Sequence, residues 1–165
     1  MLLKKIMEKI TLKNLRNTFE LDTQLRKSNK SSNAPILKLI KLINDDSAMV
    51  EVDTTSKSLN RGSVVECLIK LLFKNQKSAK RYTNKNGRAD LTLDGVKYEI
   101  KYSSSKGYAH YNPNQDLSNL IFVNQYGVYL TSGKNIVLDK CGKHIQDIKL
   151  TNDTRTLIDL TTIAL

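Results

Sequence analysis

Apolar positions along this chain follow a helical period in its first half and a strand period through much of its second. Residues 2–20 and 34–44 space Leu, Ile and Met as one face of an amphipathic helix, and the polar stretch RKSNKSSN lies between them. AMVEV at 48–52 alternates like a short strand, and TTSKSLNRG after it reads as a loop. SVVECLIKLLFKN at 63–75 predicts a helix whose apolar side carries Val65, Leu68, Ile69 and Leu72. ADLTLDGVKYEIK at 89–101 predicts two strands about a tight turn, and LIFVN and GVYLT predict two more. This order describes an α/β domain with a central mixed β-sheet flanked by helices, not a βαβ nucleotide-binding unit. Residues 1–60 read as an N-terminal helical region, suited to dimerisation or to an arm on DNA. Residues 61–165 read as the core of a single compact domain.

The turn at 94–95 fixes the most informative register. Asp94-Gly95 suits a type I′ turn, which needs positive φ at both central positions. Leu93 then faces Val96, Thr92 faces Lys97, Leu91 faces Tyr98, and Asp90 faces Glu99. Strand side chains alternate between faces. One face carries Ala89, Leu91, Leu93, Val96, Tyr98 and Ile100; the other carries Asp90, Thr92, Lys97, Glu99 and Lys101. Two carboxylates become direct neighbours, with Cβ atoms roughly 4.5–5.5 Å apart, and like charges so placed destabilise a sheet. A hard divalent cation between them would offset that cost. Mg²⁺ is commonly held by one or two carboxylates, water and phosphate oxygens. A neighbouring lysine steadies a phosphate oxygen or the attacking water. The same residues also suit an exposed, solvated hairpin face on which Lys97 and Lys101 relieve the charge.

Composition adds the partner. Among 165 residues, 27 Lys and Arg stand against 16 Asp and Glu, a net charge of +11. That balance favours an anionic partner, with nucleic acid ahead of a membrane surface. Part of the excess reflects a chain rich in Lys, Asn and Ile throughout. No apolar run approaches the roughly 18 residues of a membrane span. The start alternates apolar and charged residues, unlike a signal peptide, so a cytoplasmic protein is expected. Cys67 and Cys141 are too few for a disulfide framework or a zinc site, and Cys67 reads as a small core residue.

Asp, a spacer, then Glu-x-Lys on the next strand resembles the core motif of the PD-(D/E)XK nuclease superfamily. Here it stands as AD at 89–90 and EIK at 99–101, with Ala89 where the motif has proline. RGSVVECL supplies Glu66, which resembles the glutamate at the start of that superfamily's first core helix. Ser63 and Glu66 also have the spacing of a capping box, so a purely structural role stays open. YEIKYSSSKGYAHYNP followed by LIFVNQYGVYLTS resembles the layout of small type II restriction endonucleases. The helix element resembles archaeal-type Holliday junction resolvases equally. The resemblance spans about residues 62–131. It implies a restriction-endonuclease-like core and Mg²⁺, with Mn²⁺ able to substitute. The metal would be held by Asp90, Glu99 and the Ile100 carbonyl, with Glu66 assisting. Lys101 would position or activate water, and cleavage would leave a 5′-phosphate and a 3′-hydroxyl.

The DNA-contact candidates flank this motif. Seven basic residues and no acidic one lie between Cys67 and Ala89: Lys70, Lys74, Lys77, Lys80, Arg81, Lys85 and Arg88. They are the expected phosphate surface, with a solvated lysine-rich loop as the plainer reading. Past the motif, Ser103, Ser104, Ser105 and Lys106 suit phosphates. Tyr108, His110, Tyr111, Asn112, Asn114 and Gln115 suit base edges, since Asn and Gln make bidentate contacts with adenine. An ordinary surface loop fits them as well. The sequence thus points to a metal-dependent endonuclease on double-stranded or branched DNA, as a homodimer, because one such site cuts one strand. Restriction-type cleavage, junction resolution and DNA repair are the subtypes. A non-catalytic basic DNA-binding module is the rival from another class, and an RNA nuclease is a weaker third.

Overall fold

The computed structural model describes residues 7–11, 34–43, 49–53, 61–73, 80–81, 90–103 and 109–164. Strand β1 (Met7–Thr11) pairs antiparallel with β2 (Met49–Asp53). Helix α1 (Ala34–Leu42) lies between them in sequence, and α2 (Arg61–Leu72) follows. The expected helix over 2–20 is corrected at residues 7–11, which are a strand. Five consecutive residues find antiparallel partners in 49–53, with Lys9 set opposite Glu51, and this long-range pairing overrides the local helical spacing.

The central sheet has six strands. β3 (Lys80–Arg81), β4 (Leu91–Leu93), β5 (Val96–Tyr102), β7 (Leu120–Val123), β8 (Gly127–Thr131) and β11 (Arg155–Asp159) take the order β11-β8-β7-β5-β4-β3. β5 and β7 run parallel while every other neighbouring pair is antiparallel, so the sheet is mixed. A second sheet takes β6 (Ala109–His110), β9 (Ile136–Leu138) and β10 (His144–Ile148) in the order β6-β10-β9. The chain is therefore α/β, and residues 136–159 supply β9, β10 and β11.

The β4–β5 hairpin keeps the register read from the sequence over three pairs: Leu91 with Tyr98, Thr92 with Lys97, and Leu93 with Val96. Asp94 and Gly95 both have positive φ, +50° and +80°, as a type I′ turn requires.

Alternation along the strands divides the apolar residues between two cores. Leu91, Ile100, Tyr102, Ile121, Val123 and Val128 face the helices and pack with Ile36, Leu39, Val65, Leu68 and Ile69. α2 is buried on nearly all sides, because Val64, Cys67 and Leu71 are covered as well as the expected apolar stripe. α1 shares this core with α2 and the central sheet. On the opposite face, Leu120, Phe122 and Tyr129 pack under the second sheet through Ile145 and Ile148. Each fully buried side chain of this size contributes about 1.5–3 kcal/mol. The result is helices, central sheet, second sheet. Among the described residues, no helix is long and apolar enough to cross a membrane.

Candidate functional site

Asp90, Glu99 and Lys101 meet at the edge of β5 that β4 leaves uncovered. β4 starts at Leu91, so beyond Tyr98 the β5 backbone has no partner strand on that side among the described residues. Asp90 fills the gap: its Oδ2 accepts the Ile100 N–H at 2.8 Å. This corrects the expected direct pairing of Asp90 with Glu99. Asp90 sits in a bend before the strand, and its side chain substitutes for the missing ladder. In an extended strand, a residue's N–H and C=O point to the same side, so the Ile100 carbonyl is directed toward the Asp90 side as well.

Glu99 is on the other face, the one that carries Leu120 and Phe122 on β7, and its N–H donates to the Asn119 carbonyl at 3.0 Å. It is only 9% exposed. Burial first, then repulsion from Asp90 and a hydrogen bond with it, push the Glu99 carboxyl from an ordinary 4.5 up to about 8. Lys101 pulls the other way, and Glu66 adds to the rise. Burial and the neighbouring Asp90 thus favour the protonated form of Glu99.

Glu66 joins from α2. Burial and the charge of Asp90 raise its pKa, while Lys70 and Lys101 oppose the rise. The helix begins at Arg61, so Ser63 lies inside the first turn and is not the N-cap that a capping box needs. The partner of Glu66 is instead Lys70, one turn on, whose Nζ stands 2.6 Å from Oε1. Lys70 is 4% exposed, so it leaves the expected phosphate-contacting surface and becomes a buried counter-charge. The i,i+4 Glu–Lys spacing is its signal in the sequence. Cys67, beside this pair, is a buried thiol pushed up to about 11 by burial, in keeping with a core role.

The cluster thus brings three carboxyl groups, Glu66, Asp90 and Glu99, to two ammonium groups, Lys70 and Lys101. One proton on Glu99 balances the charge. A hard cation in place of that proton would be chemically matched, since every donor is an oxygen. No group of three or more His, Cys, Asp and Glu side chains among the described residues converges to hold an ion by itself. The fit is to an ion held by Asp90, Glu99 and the Ile100 carbonyl that retains several waters, which is the habit of Mg²⁺. Thr92 shares this face; it is buried, and its hydroxyl has no hydrogen-bond partner.

The other expected contact residues disperse. Ser103 is buried at the end of β5, and its hydroxyl donates to the Gln146 carbonyl at 3.0 Å, tying the two sheets together. That corrects its expected place among phosphate contacts. Asn112 is exposed, and its Oδ1 accepts the Asn114 N–H, closing a turn. His110 is exposed on β6 directly across from His144, their ring centroids 5.9 Å apart. Lys80 and Arg81 form edge strand β3, paired with Thr92 and Leu91. Ala89, Lys77, Lys85, Arg88, Ser104, Ser105, Lys106 and Tyr108 lie outside the described residues. No family model matches the chain, and no curated protein or solved structure matches it either.

Proposed function

We propose that this chain is a metal-dependent endonuclease that hydrolyses DNA phosphodiester bonds, on a restriction-endonuclease-like core and in a type II restriction-like manner. The observation that carries the reading is the pairing of half-buried Asp90 with buried Glu99, with Lys101 beside them and Glu66 reaching in from α2. A fold with Leu120 and Phe122 on the next strand has no packing reason to bury acids there. Perturbed acids clustered at a strand edge are the usual mark of chemistry.

Asp90, Glu99 and the Ile100 carbonyl would hold Mg²⁺ or Mn²⁺, which when bound polarises a phosphoryl group and acidifies water. Lys101 offers three N–H donors to a phosphate oxygen or to the attacking water. Glu66, kept in place by Lys70, accepts a hydrogen bond from water at the rim. The net charge of +11 suits the DNA polyanion, and cutting both strands of a duplex requires two copies of the site. Junction resolution would use the same residues.

Plasmid incubation tests the reading. Wild-type protein should cut with Mg²⁺ and not with EDTA. Asp90→Asn and Lys101→Ala should each lower the rate by at least about 10²-fold. The melting temperature of Asp90→Asn should hold, because the amide oxygen of the new side chain still accepts the Ile100 N–H. A basic binding module would hold the plasmid uncut with any cation, and unchanged Mg²⁺-dependent cutting by both variants would refute this assignment.

A further inference from the structure

A polar recess opens at the end of the central sheet where β7 begins, β8 ends and β11 begins. Its volume is about 470 Å³, and Asn119, Ser132, Lys134, Asn152, Asp153 and Arg155 line it. Gly133 makes it possible. The Gly133 N–H donates to the Leu117 carbonyl at 2.7 Å, and a Cβ on Gly133 would meet the Leu117 Cβ at 2.7 Å. This close approach pins the chain before β7 against the chain after β8.

Two features give the recess a ligand preference. Lys134 and Asp153 pair at 2.8 Å, so the one carboxylate of the recess is already compensated. Arg155, an exposed residue, makes no ion pair among the described residues and lines the recess beside hydroxyl and amide side chains. At the floor, the Ser132 Oγ is shielded from solvent with no hydrogen-bond partner. An uncompensated arginine with neutral donors around it matches a phosphate group, which the guanidinium grips bidentately.

The position relates the recess to the acids. Glu99, Leu120 and Thr131 stand in one register row across β5, β7 and β8. Neighbouring strands lie about 4.8 Å apart, so Thr131, next to Ser132, is about 10 Å from Glu99 along that row. Asn119, which lines the recess, accepts the Glu99 N–H.

We propose that the recess is a phosphate-binding subsite anchored by Arg155, and that its occupant is a phosphodiester of the polynucleotide lying across Asp90 and Glu99. The second half of this proposal rests on the nuclease reading. The test is made in EDTA, so it needs neither metal nor cleavage. Fluorescence anisotropy would follow a short labelled duplex, and NMR titration would follow inorganic phosphate and a deoxynucleoside 5′-monophosphate. Arg155→Ala should weaken duplex binding roughly tenfold or more, as for other hydrogen bonds to charged groups. Arg155→Lys should recover only part of the loss, and Lys140→Ala, which removes a charge from the exposed β9–β10 turn, should do much less. Thermal melts of the variants establish that they fold. If Arg155→Ala abolishes the monophosphate response but leaves the duplex untouched, the polynucleotide assignment is overturned in favour of a small phosphorylated ligand. If neither response depends on Arg155, or Lys140→Ala matches it, the subsite is overturned altogether. Failure of the nuclease reading looks different: the chain would bind duplex through Arg155 yet never cut it.

Discussion

β5 and β7 lie side by side, parallel and in register, yet present opposite chemistry on one face. Leu120 and Phe122 on β7 are sealed under the second sheet, while their register partners on β5 are Glu99 and Lys101. One strand spacing, about 4.8 Å, separates a dry core from a cluster of ionisable groups. On the opposite face the two strands agree, since Ile100 and Ile121 both pack against the helices. The contrast is therefore a local exception, not a weak core. The apolar contacts of the second sheet fall on β7 and β8, with Ser103 at the end of β5 bonded to Gln146, and β4 begins too late to cover β5 past Tyr98, so the acids sit between these covers.

The largest effect should come from the dry side. Phe122→Ala should cost about 3–5 kcal/mol, read from denaturant unfolding, because the side chain is wholly buried and the cavity cannot collapse between two sheets. Glu99, on the adjacent strand opposite Leu120, should behave differently. In metal-free protein at pH 8, Glu99→Gln should be neutral or stabilising, since it removes a charge held against burial and against Asp90. A comparable loss at both positions would erase the distinction between the strands.

The next effect is a slope with pH. The folded state binds the Glu99 proton more tightly than the unfolded chain does, with a pKa of about 8 against 4.5. Stability from this group is therefore full below about pH 4.5, falls as pH rises toward 8, and is level above that. Asp90 and Glu66 steepen the fall and Lys101 moderates it. We expect stability to fall between pH 5 and pH 8 in EDTA, and to fall less in Glu99→Gln, where the raised Glu66 remains. Asp116, Asp139, Asp153 and Asp159, all lowered below 3.8, act outside that window. Equal stability at pH 5 and pH 8 would place Glu99 in an ordinary, solvated setting.

How much of this is legible from residues alone? The hairpin is the clearest part, because Asp94-Gly95 admits one turn and the alternation around it one register. Asp90, Glu99 and Lys101 of the candidate site come from the same hairpin, and Glu66 from the resemblance of its helix. What escapes depends on where covers end. Nothing local reveals that β4 starts one residue after Asp90, which converts a cross-strand pair into a side-chain-to-backbone bond. The strand at 7–11 escapes because its partner lies 42 residues away along the chain, at 49–53. Lys70 falls in with the basic surface because charge in a sequence carries no burial. Arg155 and its recess escape because β7, β8 and β11 meet only in three dimensions.

Lys70 gives the smallest effect and sharpens the comparison from the helix side. Lys70→Met should destabilise the protein by about 1–2 kcal/mol, the half-exposed Glu66 losing a buried partner. Glu66→Gln should be milder, since glutamine still accepts from Lys70 Nζ, yet it should lower the cutting rate by about 10-fold or more if Glu66 serves the site. Equal effects of Glu66→Gln on stability and on rate would make the pair purely structural.

The central claim is that a cation relieves the acids at the edge of β5. Thermal melts at pH 8 and constant ionic strength, with and without Mg²⁺, Mn²⁺ or Ca²⁺, measure it on wild type and on the Asp90→Asn, Glu99→Gln double variant. A cation bound only to the folded state at 100-fold above its Kd adds about 2.7 kcal/mol. The wild type should therefore melt higher with metal, the double variant should not respond, and without metal the double variant should be at least as stable as wild type. A wild type unmoved by every divalent ion, with and without a DNA duplex present, or a double variant that responds equally, would contradict the account.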